Sequence, residues 1–130
     1  MKSSRRMYAA LQLLLLLPVV FAFGSDSTRR AARFEDMYEC HIITDIEVSE
    51  YTADDYEEVD CEALMHLLAR GRFRYISFYP AWEANLYDDE GIRYKLYISK
   101  SGTFFRVDSD CFQLSTRRRN KLLRLLEASR

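Results

Sequence analysis

A chain of 130 residues, 48% hydrophobic and 30% charged, can bury one small core and is too short for two domains of ordinary size. Nineteen Lys and Arg stand against twenty Asp and Glu, so the formal charge is −1 and nucleic acid is not the expected partner. His41 and His66 are the only histidines, and no serine motif, glycine-rich phosphate loop or recognisable carboxylate pair accompanies them, so the chain is expected to use no cofactor and to catalyse no reaction.

Residues 1–24 read as a secretory signal peptide. Lys2, Arg5 and Arg6 form a basic start, an apolar run extends from Met7 to Phe23, and Ala22-Phe23-Gly24 supplies the small-x-small cleavage pattern. An uncleaved anchor is the alternative, but the run is slightly short for a span of about 20 residues and contains Pro18. Cleavage after Gly24 leaves 16 basic and 20 acidic residues, a net charge of about −4. The expected location is the lumen of the endoplasmic reticulum and then the outside of the cell, with membrane contact only through partners. Acids and bases are also segregated: Glu35 to Glu62 holds twelve acids and no Lys or Arg, whereas Arg70 to Arg130 holds thirteen basic and seven acidic residues. Such a layout either steers a charged partner or is satisfied within the fold.

In chain order, residues 25–34 are small, polar and basic and are expected to be disordered, ahead of a single α+β domain over 35–130. Arg29-Arg30-Ala31-Ala32-Arg33 has the Arg-x-x-Arg spacing of furin-type processing, which would end at Arg33. His41 to Val48, with Ile42, Ile46 and Val48, suits a strand. Ser49 to Glu58 is acidic and reads as a loop, in which Tyr56, flanked by two acids on each side, has the context of tyrosine sulfation; the alternative is a solvated loop with packed rings. Asp60 can cap a helix over Cys61 to Arg70, with Leu64, Leu67 and Leu68 on one side and Gly71 as its stop.

Three β-rich runs follow, Arg72 to Tyr79, Ile92 to Ser99 and Thr103 to Asp108. In the second, Ile92, Tyr94, Leu96 and Ile98 alternate with Arg93, Lys95, Tyr97 and Ser99, the period of a strand with one buried face. Lys100-Ser101-Gly102 is a natural hairpin turn into the third run. Pro80 is expected to end the first run, leaving Ala81 to Gly91 as a long connection whose Trp82 and Tyr87 are either interface anchors or a lid on the core. Ser115 or Thr116 can cap a second helix through Glu127, with Leu122, Leu125 and Leu126 as its apolar stripe. Arg117, Arg118 and Arg119 in its first turn oppose the helix dipole, which marks them as interface candidates. The predicted fold is a small α+β domain with a three- to four-stranded antiparallel sheet, one helix before it and one after.

In an oxidising compartment the three cysteines allow one internal disulfide and leave one thiol over. Cys61 and Cys111 bracket the three strands, and closing that loop would contribute up to about 4 kcal/mol. That pair is favoured, with Cys40 left for an intermolecular bond, although the other two pairings stay open. Cys40 and His41 are sequence neighbours, a poor geometry for a nucleophile dyad. Cys40, His41, Cys61 and His66 match no common zinc spacing, so no metal is expected.

Three strands and a helix, with Cys61 ahead of the strands and Cys111 between the last strand and the helix, resemble the chemokine layout. A second resemblance rests on Cys61 with Ala63-Leu64, Arg72-Phe73-Arg74-Tyr75-Ile76, Asn85-Leu86-Tyr87-Asp88 ahead of Gly91, and Arg117-Arg118-Arg119-Asn120. In order and approximate spacing these patches, about 50 residues in all, resemble the smallest accessory subunit of the pentameric envelope complex with which cytomegalovirus enters cells. The acidic insert around Tyr56 and Cys111 depart from that pattern. The resemblance implies a virion-surface subunit that assembles with glycoproteins H and L and two small subunits to engage a host cell-surface receptor. The alternative is a free chemokine-like or cytokine-like ligand.

Overall fold

The computed structural model describes residues 32–128. The signal peptide and most of the segment expected to be disordered therefore lie outside the described residues. The chain forms helix α1 (Phe34–Met37), a 3-10 turn (Cys40–Ile42), strands β1 (Ile43–Glu50) and β2 (Glu57–Val59), and helix α2 (Cys61–Leu68). Strands β3 (Arg72–Arg74), β4 (Pro80–Asp88), β5 (Arg93–Ser99), β6 (Phe104–Val107) and β7 (Asp110–Gln113) follow, then helix α3 (Thr116–Ala128).

The α+β class stands, but the sheet has seven strands, not three or four, in the order β2-β1-β4-β5-β6-β7-β3 with every neighbour antiparallel. A sheet this wide, with β3 at the edge opposite β1 and β2, is not the chemokine layout. The ladder registers put Ile46, Val48, Ala84, Leu86, Tyr94, Leu96, Ile98, Phe105, Val107, Phe112 and Phe73 on one face. That face is buried, and the helices supply Leu64, Leu68, Leu122 and Leu126 to the same core. Glu47, Glu83, Asn85, Tyr87, Lys95, Tyr97 and Arg106 alternate with the core residues and lie on the other face.

The largest departure from expectation is β4. Ala81 to Gly91 is mostly strand, paired to β1 on one side and β5 on the other. Its polar positions hid it: Glu83 and Asn85 are buried, held by Lys95 and Glu47 from the flanking strands. Pro80 opens that strand, and the first β-rich run is a strand only through Arg74, leaving Tyr75, Ile76 and Tyr79 exposed. β7 was also missed, because the chain reverses at Asp108, a non-glycine residue at φ +53° that carries no glycine signal.

Where turn chemistry was readable it holds. Gly102 sits at φ +74° in the β5–β6 turn. Asp60 Oδ1 accepts the Ala63 amide at 3.0 Å as the cap of α2. Gly71 is not the stop of α2, which ends at Leu68 with Ala69 as its C-cap, but a close approach requires it, since a Cβ there would lie 2.6 Å from Phe105 Cε1.

The domain also starts earlier than residue 35. Ala32 is buried and its carbonyl accepts the Phe73 amide at 2.9 Å, Arg33 bridges to Arg72, and Phe34 is fully buried. Phe34 meets the rings of Tyr38, Phe105 and Phe112 at 5.0, 5.2 and 5.1 Å. The apolar content of three residues was too little to register in sequence, whereas their backbone pairing and one ring suffice to dock them.

Candidate functional site

A cleft of about 170 Å³ at the β3 edge is lined by Arg33, Arg70, Arg72, Arg74 and Arg118, with Gln113, Leu114 and Ser115. The ladder explains the gathering. Arg72 pairs with Gln113 across β3 and β7, and Arg33 bridges to Arg72 from outside. Gln113 leads through buried Leu114 to Ser115, whose Oγ accepts the Arg118 amide at 3.3 Å and whose carbonyl accepts the Arg119 amide at 2.8 Å. Ser115 thus starts α3 and sets Arg118 one turn into it.

Arg74 is held in place, with Nε donating to Gln113 Oε1 at 3.0 Å and a terminal nitrogen donating to the Phe73 carbonyl at 3.0 Å. Arg70 lies 3.9 Å from Glu35, and both side chains are about 40% exposed, so the pair adds little stability while setting one acid beside the cleft. Among the described residues no carboxylate lines the cleft, and neither Arg72 nor Arg118 has an acid within salt-bridge distance. The amino end of α3 adds partial positive charge. Guanidinium groups so placed suit carboxylate, sulfate or phosphate oxygens, which they bind in pairs of parallel hydrogen bonds.

The basic triplet of α3 is divided by the helix. Arg118 lines the cleft and Arg117 is exposed. Arg119 is half-buried with Nε lacking a hydrogen-bond partner, and its carbonyl lies on the Gly102 turn. Trp82 and Tyr87 are not on a free loop. Trp82 pairs with Ile98 and is half-buried against the core, and Tyr87 donates to Glu47 Oε1 at 3.0 Å. Both belong to β4, four strands from β3, so the fold does not bring them to the arginines. Arg33, Arg70, Arg72 and Arg74 were not singled out in sequence as partners of Arg118. The Arg72-x-Arg74 spacing sets those two on one face of a strand, and no sequence signal joins Arg33 or Arg70 to them.

Tyr56 is half-buried. Its hydroxyl accepts from Lys95 Nζ at 2.9 Å, and Lys95 also donates to Asn85 Oδ1 at 2.9 Å and lies 3.6 Å from Glu83. Burial works against the Lys95 ammonium, but the Tyr56 hydroxyl and Glu83 outweigh it and hold the pKa above the usual lysine range.

The cysteines are three separate thiols. The favoured Cys61 to Cys111 bridge is absent, for a geometric reason. Cys61 Sγ donates to the Ile43 carbonyl of β1 at 3.5 Å, whereas Cys111 pairs with Arg106 and Arg74 in β7, on the sheet face away from the helices. Four strand spacings of about 4.8 Å separate β1 from β7, and a disulfide needs Cβ atoms about 4 Å apart. Cys40, expected to be available for an intermolecular bond, is half-buried and packs on the core.

Cys40, His41, Cys61 and His66 do line one open pocket, together with Asp60, Glu62 and Met65. Among the described residues, however, no three His, Cys, Asp or Glu side chains are grouped to hold a metal ion. The thiols are not activated either. Burial, then Glu35, pushes Cys40 up to about 12, and burial, then Asp45, Asp60 and Glu62, raises Cys61. Burial also raises Cys111, with Arg106 opposing and Asp110 adding to the shift. A nucleophilic cysteine needs the opposite environment.

Among the described residues no helix is long and apolar enough to cross a membrane. Comparison with protein-family models, with curated proteins and with solved structures finds no match to this chain.

Proposed function

We propose that the chain is a non-catalytic binding subunit that docks an acidic segment of a partner protein in its arginine cleft, on the outside of the cell or of a virion. One observation carries the reading: among the described residues, five arginines and no carboxylate line a single cleft. Arg72 and Arg118 have no acid within salt-bridge distance among the described residues, so their charges repel across the cleft, and an anionic partner relieves that cost. The secretory signal read in residues 1–24 supports the location. The resemblance to the smallest cytomegalovirus envelope subunit supports glycoproteins H and L as partners, with receptor engagement as the purpose of the assembly.

The test is co-expression of the full chain with glycoproteins H and L, followed by capture on the chain. The wild type is expected to bring both glycoproteins down, and Arg72→Glu with Arg118→Glu is expected to lose them while keeping the wild-type thermal transition. Equal capture by the folded charge-reversed variant overturns the cleft as the docking site. A wild-type chain that emerges alone overturns the named partners and favours the free-ligand alternative.

A further inference from the structure

We propose that Cys40 and Cys61 are joined by a disulfide in the mature protein, closing the β1–β2 hairpin at its base. Two hydrogen bonds bring the residues to one place. The Ile43 amide donates to the Cys40 carbonyl, which closes the 3-10 turn, and the Ile43 carbonyl in turn accepts from Cys61 Sγ at 3.5 Å. Ile43, which closes the turn that Cys40 opens, is thus the residue against which the Cys61 sulfur rests. Both side chains are half-buried against the core, and both line the same pocket.

The competing pairings are excluded by the sheet, because Cys111 is 3% exposed on the opposite face. The surroundings favour a neutral bond. Glu35, Asp45, Asp60 and Glu62 all act on these two thiols, and each penalises a thiolate and leaves a disulfide untouched. A metal held by the same residues would require the thiolate that these carboxylates oppose.

The reaction balances as an exchange. Cys40 and Cys61 surrender two protons and two electrons in forming one S–S bond, and a disulfide donor such as oxidised glutathione or an oxidoreductase is reduced to two thiols. Cys61 Sγ must leave the Ile43 carbonyl for this to happen. The closed loop then contains β1, the acidic turn and β2, so it secures the edge of the sheet opposite the arginine cleft. Cys111 remains the single thiol, shielded from partners.

The test uses the purified full chain equilibrated in a glutathione redox buffer, alkylated, and digested without reduction. Mass spectrometry is expected to find the Cys40 and Cys61 peptides joined and two hydrogens lighter than the free pair, with Cys111 alkylated only after unfolding. Cys40→Ser and Cys61→Ser should each lower the oxidised protein's melting temperature by similar amounts, and the double variant should lose no more than either single one. A crosslink that includes Cys111 overturns the proposal, as do two alkylated thiols at positions 40 and 61. One bound zinc ion per chain with both thiols unoxidised also overturns it, and so do single-variant losses that add in the double variant.

Discussion

Replacing Phe34 by Ala tests whether the arginine cleft rests on a rigid support. Phe34 is 0% exposed and contacts three rings at 5.0 to 5.2 Å, two of them edge-on, in the aromatic cluster with Tyr38, Phe105 and Phe112. Deleting a fully buried phenylalanine side chain costs about 3–5 kcal/mol, the upper part arising when the surrounding rings cannot collapse into the space. Collapse is restricted here, since Phe105 and Phe112 stack on each other at 5.2 Å and Phe105 also fills the notch beside Gly71. A domain of this size is stable by about 5–15 kcal/mol, so the variant keeps a small margin at best and melts about 15 °C lower or more. Urea unfolding followed by the fluorescence of Trp82, the only tryptophan, reads the change. The Phe34 amide also donates to the Gly71 carbonyl at 2.8 Å, so loosening it frees Arg33 from its bridge to Arg72 and weakens anion binding in the cleft. A loss below about 1 kcal/mol would refute the reasoning, because α1 would then be a loose flap and Arg33 no fixed part of the site.

Two other expectations concern single groups. With disulfides reduced, Cys40 keeps its proton in the folded state up to about pH 12, against 9.0 for an ordinary thiol. Its contribution is therefore complete below pH 9 and is lost as pH rises from 9 to 12, by at most about 4 kcal/mol given that the side chain is only half-buried. Melting curves across that range should fall more steeply for the reduced protein than for Cys40→Ser, and parallel curves would count against the assigned burial. Tyr56→Phe keeps the ring that lies 5.2 Å from Lys95 Nζ but removes the hydroxyl that accepts from it. Lys95 retains Asn85 and Glu83, so the expected loss is about 0.5–1.5 kcal/mol by urea unfolding, and a loss of several kcal/mol would mean that this hydroxyl is central to the polar face.

What sequence could reveal followed from how each element is stabilised. The hairpin at Gly102, the α2 cap at Asp60 and the alternation in β5 rest on local chemistry, and all were legible. β4 was not, because Glu83 and Asn85 become acceptable inside the sheet only once Glu47 and Lys95 from other strands are beside them. The cleft was half legible. Arg118 stood out by its conflict with the helix dipole, whereas Arg33, Arg70, Arg72 and Arg74 reach it through the β3–β7 pairing and the Arg33 bridge, contacts between residues 37 or more positions apart. The chemokine layout failed for the same reason: cysteine order along the chain says nothing about which face of a sheet each cysteine occupies.

The charge separation seen along the chain acquires a spatial meaning from the strand order. β1 and β2, which carry Asp45, Glu47, Glu50, Glu57 and Glu58, form one side of the sheet, and β3 with its arginines forms the other edge. Five to six strand spacings of about 4.8 Å put them some 25 Å apart along the sheet, roughly three Debye lengths at physiological ionic strength. At that range the acids of β1 and β2 add little to the field at the cleft, where Glu35 beside Arg70 is an acid within salt-bridge reach among the described residues. The same separation orients an approaching acidic segment, which is repelled at the β1–β2 side and drawn to the β3 edge. It follows that association should slow steeply with added salt while dissociation changes little. Arg118→Glu should flatten that salt dependence, and a salt slope unchanged in the folded variant would show that the steering charge lies elsewhere.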